Sequence, residues 1–397
     1  MTSLLNNTAL LKTDTSAVPT RRHVRWVTTE AGFRALAPYW DALVERSMVR
    51  TPFMTWDWVD IWWANHRQGN TLCIGVVDDP RTGVPRAIAP LMIGRPQEGK
   101  RRALRHMTFI GGLGEDASQG MDFLVPAGEE NTLTPLLCGA FRRFMLKWDV
   151  IDLPTVHEES PNLPWFQATL AKFARSGERS LPQSSFLMSL PGSWDDQLAL
   201  WKSKERVAYR SKWRRLMDEH EGVALEGGRD LPMAHAFDEL WRLHAARFEG
   251  QHSKFLNEAT HAMHRELIKR WEPRGRIMLP LLSADGKVVA ARYGFAFEGK
   301  YWSYQTGFDP ACAKMSVGNL SLGWAAQCAI ERGLQEIDHM PGDARYKEEW
   351  STHTRRVVHL EAFNRLSLTA SVFRMLRTLS RRRNPVVPVE PCSAPCS

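Results

Sequence analysis

The clearest pattern of apolar and polar positions lies in the second half of the chain. The run Tyr301–Phe308 alternates aromatic and polar residues as a strand does, and it stops at Asp309-Pro310. A helix-period segment, Asn319–Arg332, then closes at Gly333, where a C-terminal capping glycine is expected. A short apolar run, Glu336–Met340, comes next. The pattern predicts strand, loop, helix and strand, with the two strands parallel and joined by a right-handed crossover.

The loop before this predicted helix contains Lys314, Ser316 and Gly318. A helix N-terminus presents unpaired N–H groups and partial positive charge, which favours phosphate binding. The loop matches neither a P-loop pattern nor the glycine pattern of dinucleotide-binding folds. By itself it is therefore compatible with an anion site or with an ordinary glycine-containing connection.

The order of predicted elements repeats along the chain. In the first half the pattern predicts helices at 30–47 and 56–66, a hairpin at 72–93, strands at 104–110 and 121–125, a helix at 129–147 and a strand at 148–153. In the second half it predicts helices at 233–249 and 258–271, strands at 276–283, 288–297 and 301–308, a helix at 319–332 and a strand at 336–340. We interpret this as two similar α/β units in tandem, each a mixed sheet flanked by helices.

Length and charge refine this picture. A chain of 397 residues exceeds the usual size of one hydrophobic core, which favours two domains. Its 52 basic and 44 acidic residues give a net charge of +8, which favours an anionic partner without indicating DNA. The six cysteines have no metal-ligand spacing, so we expect reduced thiols and no metal site. We find no secretory leader pattern and no run long enough for a membrane span, so we expect a cytoplasmic protein.

Three further segments have two interpretations each. The Trp-rich helix at 56–66 could be buried on all sides or could line a ligand pocket. The strongly basic segment 201–219 is typical of a solvated helix face, or it could contact an anionic acceptor. An amphipathic basic helix at 366–381 could lie on an anionic membrane surface or dock on its own domain.

A series of motifs in the second half resembles a known family. The matching residues are Leu243-His244, Arg247-Phe248, Asp285-Gly286, Val289-Ala290-Ala291, Gly307-Phe308-Asp309-Pro310, Ser316-x-Gly318, Gly333, Ile337-Asp338, Met340-Pro341-Gly342-Asp343, Tyr346-Lys347 and Trp350. In this order and spacing, the segment 194–360 resembles the C-terminal half of the CelD-like proteins. These are bacterial acetyltransferase-like proteins of the GNAT superfamily, associated with cellulose and other exopolysaccharides. Two positions depart from the pattern: His339 replaces an aromatic residue or leucine, and Asn319 replaces an apolar residue.

The resemblance implies two tandem GNAT-like units and acetyl-CoA or another acyl-CoA as co-substrate, with no metal. The acyl-CoA would bind where the two parallel strands separate, with its pantetheine along the first strand as an added strand would lie. Its pyrophosphate would meet the helix N-terminus, where a lysine could add charge. The implied binding residues are Gln305, Thr306, Gly307, Lys314, Ser316, Val317, Gly318 and Asn319.

Acyl transfer to an amine needs a general base and a donor for the developing oxyanion. Three residues are candidates for the base: Asp343, His339 and His244. Lys347 could stabilise the oxyanion or a phosphate, or it could pair with a neighbouring carboxylate. Tyr346 could protonate the departing thiolate.

The resemblance thus implies an acyl-CoA-dependent N-acyltransferase that acts on an amino sugar or another small amine, in exopolysaccharide or envelope metabolism. Two alternatives stay open: a Fem-type aminoacyl-tRNA-dependent transferase, and a non-catalytic module that binds a polysaccharide or a partner. The predicted division is a disordered segment 1–21, a degenerate unit 22–190, a catalytic unit 191–362 and a basic helix with a Pro-rich tail 363–397. The sequence does not indicate an oligomeric state.

Overall fold

The computed structural model describes residues 24–96, 100–113, 118–175, 183–249, 253, 255–342 and 344–383. The predicted segment 1–21, the candidate base Asp343 and the end of the Pro-rich tail lie outside these residues. None of the helices in the described ranges is long and apolar enough to cross a membrane.

The first half contains five helices and nine strands within the described residues. The helices are α1 (Glu30–Arg34), α2 (Ala37–Arg46), α3 (Trp56–His66), α4 (Leu133–Arg143) and α5 (Asn162–Phe173). The strands are β1 (Val24–Val27), β2 (Thr71–Leu72), β3 (Ile74–Asp78), β4 (Pro85–Ala89), β5 (Leu91–Gly94), β6 (His106–Phe109), β7 (Val150–His157), β8 (Ala174–Arg175) and β9 (Gln183–Ser189).

The second half contains seven helices and seven strands within the same limits. The helices are α6 (Trp194–Ala199), α7 (Ser203–Glu219), α8 (Met233–Arg247), α9 (Glu258–Trp271), α10 (Val317–Glu331), α11 (Arg345–Trp350) and α12 (Leu368–Arg383). The strands are β10 (Val223–Glu226), β11 (Ile277–Met278), β12 (Pro280–Ala284), β13 (Lys287–Phe297), β14 (Lys300–Phe308), β15 (Glu336–Pro341) and β16 (His353–Asn364).

Local signals explain where several helices begin and end. The side chain of Asn257 accepts a hydrogen bond from the N–H of Thr260, so α9 begins where the sequence predicts it. The helix predicted at 30–47 is divided instead, because a proline occupies the first turn of α2. The strand predicted at 121–125 is wrong: this segment forms an isolated bridge between Ile88 and Leu124.

The sheet order confirms two α/β units in tandem. In a sheet of 13 strands, 11 follow the path β10-β12-β13-β14-β15-β9-β16-β7-β6-β5-β2, while β11 pairs with β13 and β8 with β16 off this path. Strands β1, β3 and β4 form a separate three-stranded sheet. Each half contains one parallel pair: β6 with β7, which are joined through α4, and β14 with β15, which are joined through α10. A parallel pair with a helical crossover is thus present twice.

Two strands link the halves across the predicted boundary at residue 190. β9, which comes before that boundary, pairs antiparallel with β15 of the second half. β16, near the end of the described chain, lies between β9 and β7 and pairs antiparallel with both. The sheet is therefore continuous through the junction of the two units.

Helix α3 packs between the halves. Trp58 contacts the rings of Trp271 and Phe295 from the second half, and Phe53 contacts Tyr304. The carboxylate of Asp57 accepts a hydrogen bond of 3.1 Å from the indole of Trp271. Trp58, Trp62 and Trp63 are all buried. These three tryptophans support the first interpretation of this helix, which is burial on all sides.

Candidate active site

The parallel strands β14 and β15 separate after three residue pairs. They are in register from Lys300 with Glu336 to Trp302 with Asp338. Beyond that point β14 bulges at Tyr304 and stays paired with β13, while β15 stays paired with β9. The two strands thus diverge towards different neighbours. We call the space between them the strand gap.

A bulge shapes β15 at the mouth of the strand gap. Residues 339 and 340 face a single residue of β9, and Met340 has a left-handed backbone with φ of 61°. Because a side chain makes this conformation costly, something must hold it in place. The carboxylate of Asp338 does so by accepting the N–H of Met340 at 2.8 Å. That carboxylate also accepts hydrogen bonds from Ser185 at 2.6 Å and Arg355 at 2.9 Å.

The first half repeats this bulge with different side chains. In β7, residues 154 and 155 face one residue of β16, and Thr155 has φ of 52°. The repeated irregularity gives independent support to the tandem arrangement. Pro154 occupies the position that corresponds to His339, so the first half has no titratable group there. Its crossover helix α4 follows Glu130, whose charge disfavours an anion at that helix N-terminus, while the nearby Glu129 is paired with Arg86 and Arg46.

The N-terminus of α10 lies beside the strand gap. Ser316 precedes the helix in a left-handed conformation with φ of 59°. The N–H groups of Val317 and Gly318 form no backbone hydrogen bond with the described residues, as expected for a first turn. The N–H of Asn319 donates to the carbonyl of Ser316 at 2.9 Å. Two of the three N–H groups predicted to bind pyrophosphate are thus open.

Neither packing nor backbone conformation requires a glycine at position 318. A Cβ there would lie 3.8 Å from the ring of Phe308, an ordinary contact, and its backbone is not left-handed. The absence of a side chain therefore leaves room in front of the helix N-terminus. Lys314, in the preceding 3-10 turn, is exposed.

Arg292 on β13 is a site residue that the sequence analysis missed. Its Nη2 donates to the carbonyl of Gly318 at 2.9 Å, and its Nε donates to Ser321 Oγ at 3.2 Å. The residue is only 2% exposed, and its Nη1 has no hydrogen-bond partner among the described residues. A buried donor without a partner suggests a ligand. The sequence signal that could have indicated this role is the charge of Arg292 within the otherwise apolar run 288–297.

Two guanidinium groups, those of Arg247 and Arg292, lie over aromatic rings near this helix N-terminus. The guanidinium of Arg247 lies 4.9 Å from the ring centre of Phe308, and that of Arg292 lies 5.3 Å from the ring centre of Tyr346. Burial alone would raise the pKa of Tyr346, but the positive charges of Arg292, Lys347 and Arg247 together lower it. Burial also lowers the pKa of Arg247.

His339 is the most isolated polar side chain of the site. It is 1% exposed, and neither ring nitrogen has a hydrogen-bond partner within the described part of the chain. Its ring lies 6.2 Å from that of Tyr346, edge to face. Burial, followed by the positive charges of Arg292 and Lys347, lowers the pKa of His339 to about 3. The imidazole is therefore neutral at physiological pH.

His244 has both ring nitrogens engaged. Its Nδ1 donates to the carbonyl of Thr306 at 3.0 Å, so its Nε2 accepts from the hydroxyl of Ser253 at 2.8 Å. This bond occupies a carbonyl of the predicted pantetheine-binding strand segment. At the next residue, Gly307, a Cβ would lie 2.6 Å from the backbone nitrogen of His244, so glycine there permits the close approach of α8. Gln305 pairs with Tyr293 on the other side of β14.

Lys347 binds the turn after β15. Its Nζ donates to the carbonyls of Met340 at 3.1 Å and Pro341 at 2.9 Å. It thereby closes the turn that connects β15 to α11 and brings positive charge to Tyr346. The structure therefore brings His339, Tyr346 and Lys347 together, and it places His244 on α8, which packs on β13 and β14.

Two of the cavities among the described residues adjoin the second half. One of about 380 Å³ adjoins the end of β15 and is lined in part by Gly342, Ala344 and Ser184. Another of about 390 Å³ lies at the far end of α10, beside Arg332 and Glu226, which form an ion pair. In the described ranges, no group of three or more His, Cys, Asp or Glu side chains could hold a metal ion.

Residues 203–348 match the family model described as an acetyltransferase (GNAT) domain. This segment is a GNAT acetyltransferase domain. It contains the strand gap, the α10 N-terminus and the side chains around them. The match supports acyltransferase activity for this segment of the chain. The match does not test the finer resemblance to CelD-like proteins, which stays a prediction.

Solved structures extend the likeness over both halves. A structure described as that of FemX is 11% identical in sequence, with a TM-score of 0.57, and the match covers 89% of this chain and 99% of that one. A conserved protein of unknown function from Bacteroides thetaiotaomicron is 13% identical, with a TM-score of 0.52, and the match covers 86% and 100%. At such identities the likeness shows the fold alone. No curated protein matches the sequence.

Proposed function

We propose that this protein is an acyl-CoA-dependent N-acyltransferase whose site is the strand gap and the N-terminus of α10. One observation supports this above others. The open N–H groups of Val317 and Gly318 lie beside a buried guanidinium, that of Arg292, whose Nη1 lacks a partner among the described residues. This is a combination of donors suited to a pyrophosphate.

The remaining co-substrate contacts follow from the strand gap. Beyond Trp302, β14 has left β15, so its backbone can pair with a pantetheine amide as it would with a strand. Thr306 contributes less to this, since its carbonyl already accepts from His244. Lys314 and Arg247 add positive charge around the phosphates.

His339 is the general base in this proposal. Its imidazole is neutral, and the one ring nitrogen that carries a lone pair has no partner among the described residues, so it can accept a hydrogen bond from the attacking amine. A pKa of about 3 makes it a weak base, so it takes the proton only once attack has made the nitrogen positively charged. His244 is a weaker candidate because both of its nitrogens are bonded. Asp343 lies outside the described residues.

Tyr346 is the general acid. The thioester supplies an acyl carbon that the acceptor amine attacks: the C–N bond forms, the C–S bond breaks and the acyl group moves to nitrogen. His339 takes the proton lost by the amine. The hydroxyl of Tyr346, whose pKa the nearby cations lower, gives a proton to the sulfur. Lys347 positions these groups through the two carbonyls that it holds.

The acceptor in this proposal is the amine of an amino sugar or another small amine. The resemblance to CelD-like proteins supports a role in exopolysaccharide or envelope metabolism. The first unit serves as a structural partner without acyl-CoA, because its counterpart of His339 is Pro154 and acidic residues precede its crossover helix.

The test is calorimetric titration with CoA and acetyl-CoA of the wild-type protein and of Gly318→Glu. The glutamate would place a carboxylate in the space in front of the helix N-terminus, so we expect loss of binding. Gly192→Glu is the matched control, because Gly192 is exposed and a Cβ at that position would have nothing within 4 Å. Equal binding by both variants, or no binding of either ligand to the wild type, would contradict the proposal.

A Fem-type aminoacyl-tRNA-dependent transferase is the second candidate. The observation that favours it is the basic helix α7, which packs on α10 through Tyr209 and exposes Lys204, Arg210, Lys212, Arg214 and Arg215. Transfer from labelled aminoacyl-tRNA, weakened by Arg210→Glu with Arg214→Glu and unaffected by acetyl-CoA, would favour this candidate over the first.

A further inference from the structure

Helix α12 has two apolar faces, and no described residue covers one of them. On its inner face Ala370 is fully buried, and Phe373 stacks on Phe363 of β16 with ring centres 6.2 Å apart. On the opposite side of the same helix are four apolar residues that are between 52% and 84% exposed: Leu368, Val372, Met375 and Leu376. Their spacing of four, three and one residues places them on one face. The inner face is thus docked on the protein, and the outer face is open.

Two more exposed leucines extend this outer face. Leu366 is 67% exposed and directly precedes α12. Leu146, which is 79% exposed, lies in the turn after α4. The side chain of Asn364 holds that turn beside the start of α12, because its Nδ2 donates to the carbonyls of Met145 at 2.6 Å and Trp148 at 2.8 Å. We call these six residues the apolar stripe: Leu146, Leu366, Leu368, Val372, Met375 and Leu376.

The chain around the apolar stripe is basic and lacks acidic residues. The segment 365–383 contains six arginines and no Asp or Glu, and the segment 133–148 contains Arg142, Arg143 and Lys147 and no Asp or Glu. Arg365 donates to the carbonyl of Ala171 at 2.9 Å, which places its charge at the same end of the molecule.

The nearby carboxylates are already paired. Asp149 is bonded to Arg105 and accepts the hydroxyl of Ser367 at 2.6 Å. Glu361 is bonded to Arg101 and Arg377. Both carboxylates are buried, and Arg377 of α12 is among the cations that they balance. The sequence around the stripe keeps an excess of positive charge beyond these pairs.

We propose that the apolar stripe binds the surface of an anionic lipid bilayer. Apolar side chains on one helix face enter the interfacial layer, and surrounding arginine and lysine side chains attract anionic headgroups. A second copy of the chain fits less well as the occupant, since a two-fold contact through the stripe would bring the same basic residues face to face. The site in the strand gap is on a different part of the molecule, so this proposal is independent of the proposed function.

The test is co-sedimentation of the full chain with vesicles of phosphatidylcholine, with and without phosphatidylglycerol. We expect binding that requires phosphatidylglycerol, weakens with added salt and falls about tenfold or more in Leu368→Glu/Val372→Glu. The matched control is Val207→Glu/Val84→Glu, which makes the same charge change at exposed positions elsewhere. Both variants should keep the wild-type far-UV circular dichroism.

Several results would overturn the proposal. They are a lack of binding to either vesicle, equal binding to both vesicles, and equal loss of binding in the stripe variant and the control. Sedimentation velocity provides a further check: a dimer of the wild type that the stripe variant lacks would assign the stripe to a second copy of the chain and exclude the membrane.

Discussion

At the residue scale, His339 has the properties expected of a catalytic side chain. A buried polar group without a hydrogen-bond partner costs about 1–3 kcal/mol of folding free energy. His339 is such a group among the described residues, and nearby cations add to the cost of its charged form. A leucine of similar volume would remove this cost. The protein thus retains a residue that its folding does not favour, as expected in a catalytic site.

His339→Leu should therefore raise stability by about 1 kcal/mol and abolish acyl transfer. The pKa of His339 is about 3 when folded and about 6.5 when unfolded, so the unfolded state gains a proton first as pH falls. Wild-type stability should decline from pH 6.5 towards pH 3, with this residue contributing up to about 1.4 kcal/mol per pH unit. The variant should lack that contribution. Urea unfolding at a series of pH values measures both effects.

His157 provides the matched control for this experiment. It is also buried, and burial, followed by the charges of Arg355 and Lys300, lowers its pKa to about 3, but it lies on β7 in the first half. His157→Leu should reduce the pH dependence of stability and leave acyl transfer unchanged. A His339→Leu variant that is less stable than the wild type, or that keeps its activity, would argue for a structural role of this histidine.

At the element scale, Gly307 near the end of β14 and Gly318 in the first turn of α10 have different functions. Gly307 lets α8 approach the strand, since a Cβ there would lie 2.6 Å from the His244 nitrogen and 2.8 Å from the Leu243 Cβ. Gly318 meets nothing closer than 3.8 Å. The first glycine is thus required by packing between elements, and the second leaves room for a ligand.

Gly307→Ala should destabilise the fold by about 1–3 kcal/mol, because backbone atoms of α8 have to move. Gly318→Ala should leave stability nearly unchanged and weaken CoA binding. Denaturant titration and calorimetry of both variants test this contrast. Equal loss of stability in the two variants would mean that the loop before α10 is itself held by tight packing.

At the scale of the whole molecule, the two units share one sheet. β16 lies between β9 and β7, and Phe53 and Trp58 of the first half pack on aromatic rings of the second. Because β16 belongs to the second half and pairs with β7 of the first, each half depends on the other to fold. We expect one cooperative unfolding transition for the full chain.

Truncation after Trp350 removes β16 and α12 and leaves the edges of β7 and β9 without a partner between them. We expect an aggregating or unfolded product, since exposed strand edges associate. Truncation after Arg383, the last described residue, should keep the wild-type melting transition. Circular dichroism melts and gel filtration compare the two. A folded monomer from the shorter chain would show that the first unit does not need β16.

The sequence predicts the bounds of those helices and strands that are set by their own residues and immediate neighbours. The apolar period gives the bounds of α3, and the period together with the Asn257 cap gives those of α9. The alternation of Tyr301–Phe308 gives β14 to within one residue. The start of α10 is two residues earlier than predicted, because Ser316 adopts a left-handed conformation that residue type does not favour. Family motifs indicated the loop, the tyrosine and the lysine of the candidate site.

The sequence by itself determined the tandem α/β order, the acyltransferase motifs and most of the candidate residues, because these depend on periodicity and on spacing within short segments. Only the tertiary structure decided that β16 enters between β9 and β7 and that Arg292 reaches the first turn of α10. It also decided that both ring nitrogens of His244 are hydrogen-bonded, whereas those of His339 have no partner among the described residues. Such contacts join residues far apart in the chain. Their formation depends on how whole elements pack, and the composition of any one segment does not specify that packing.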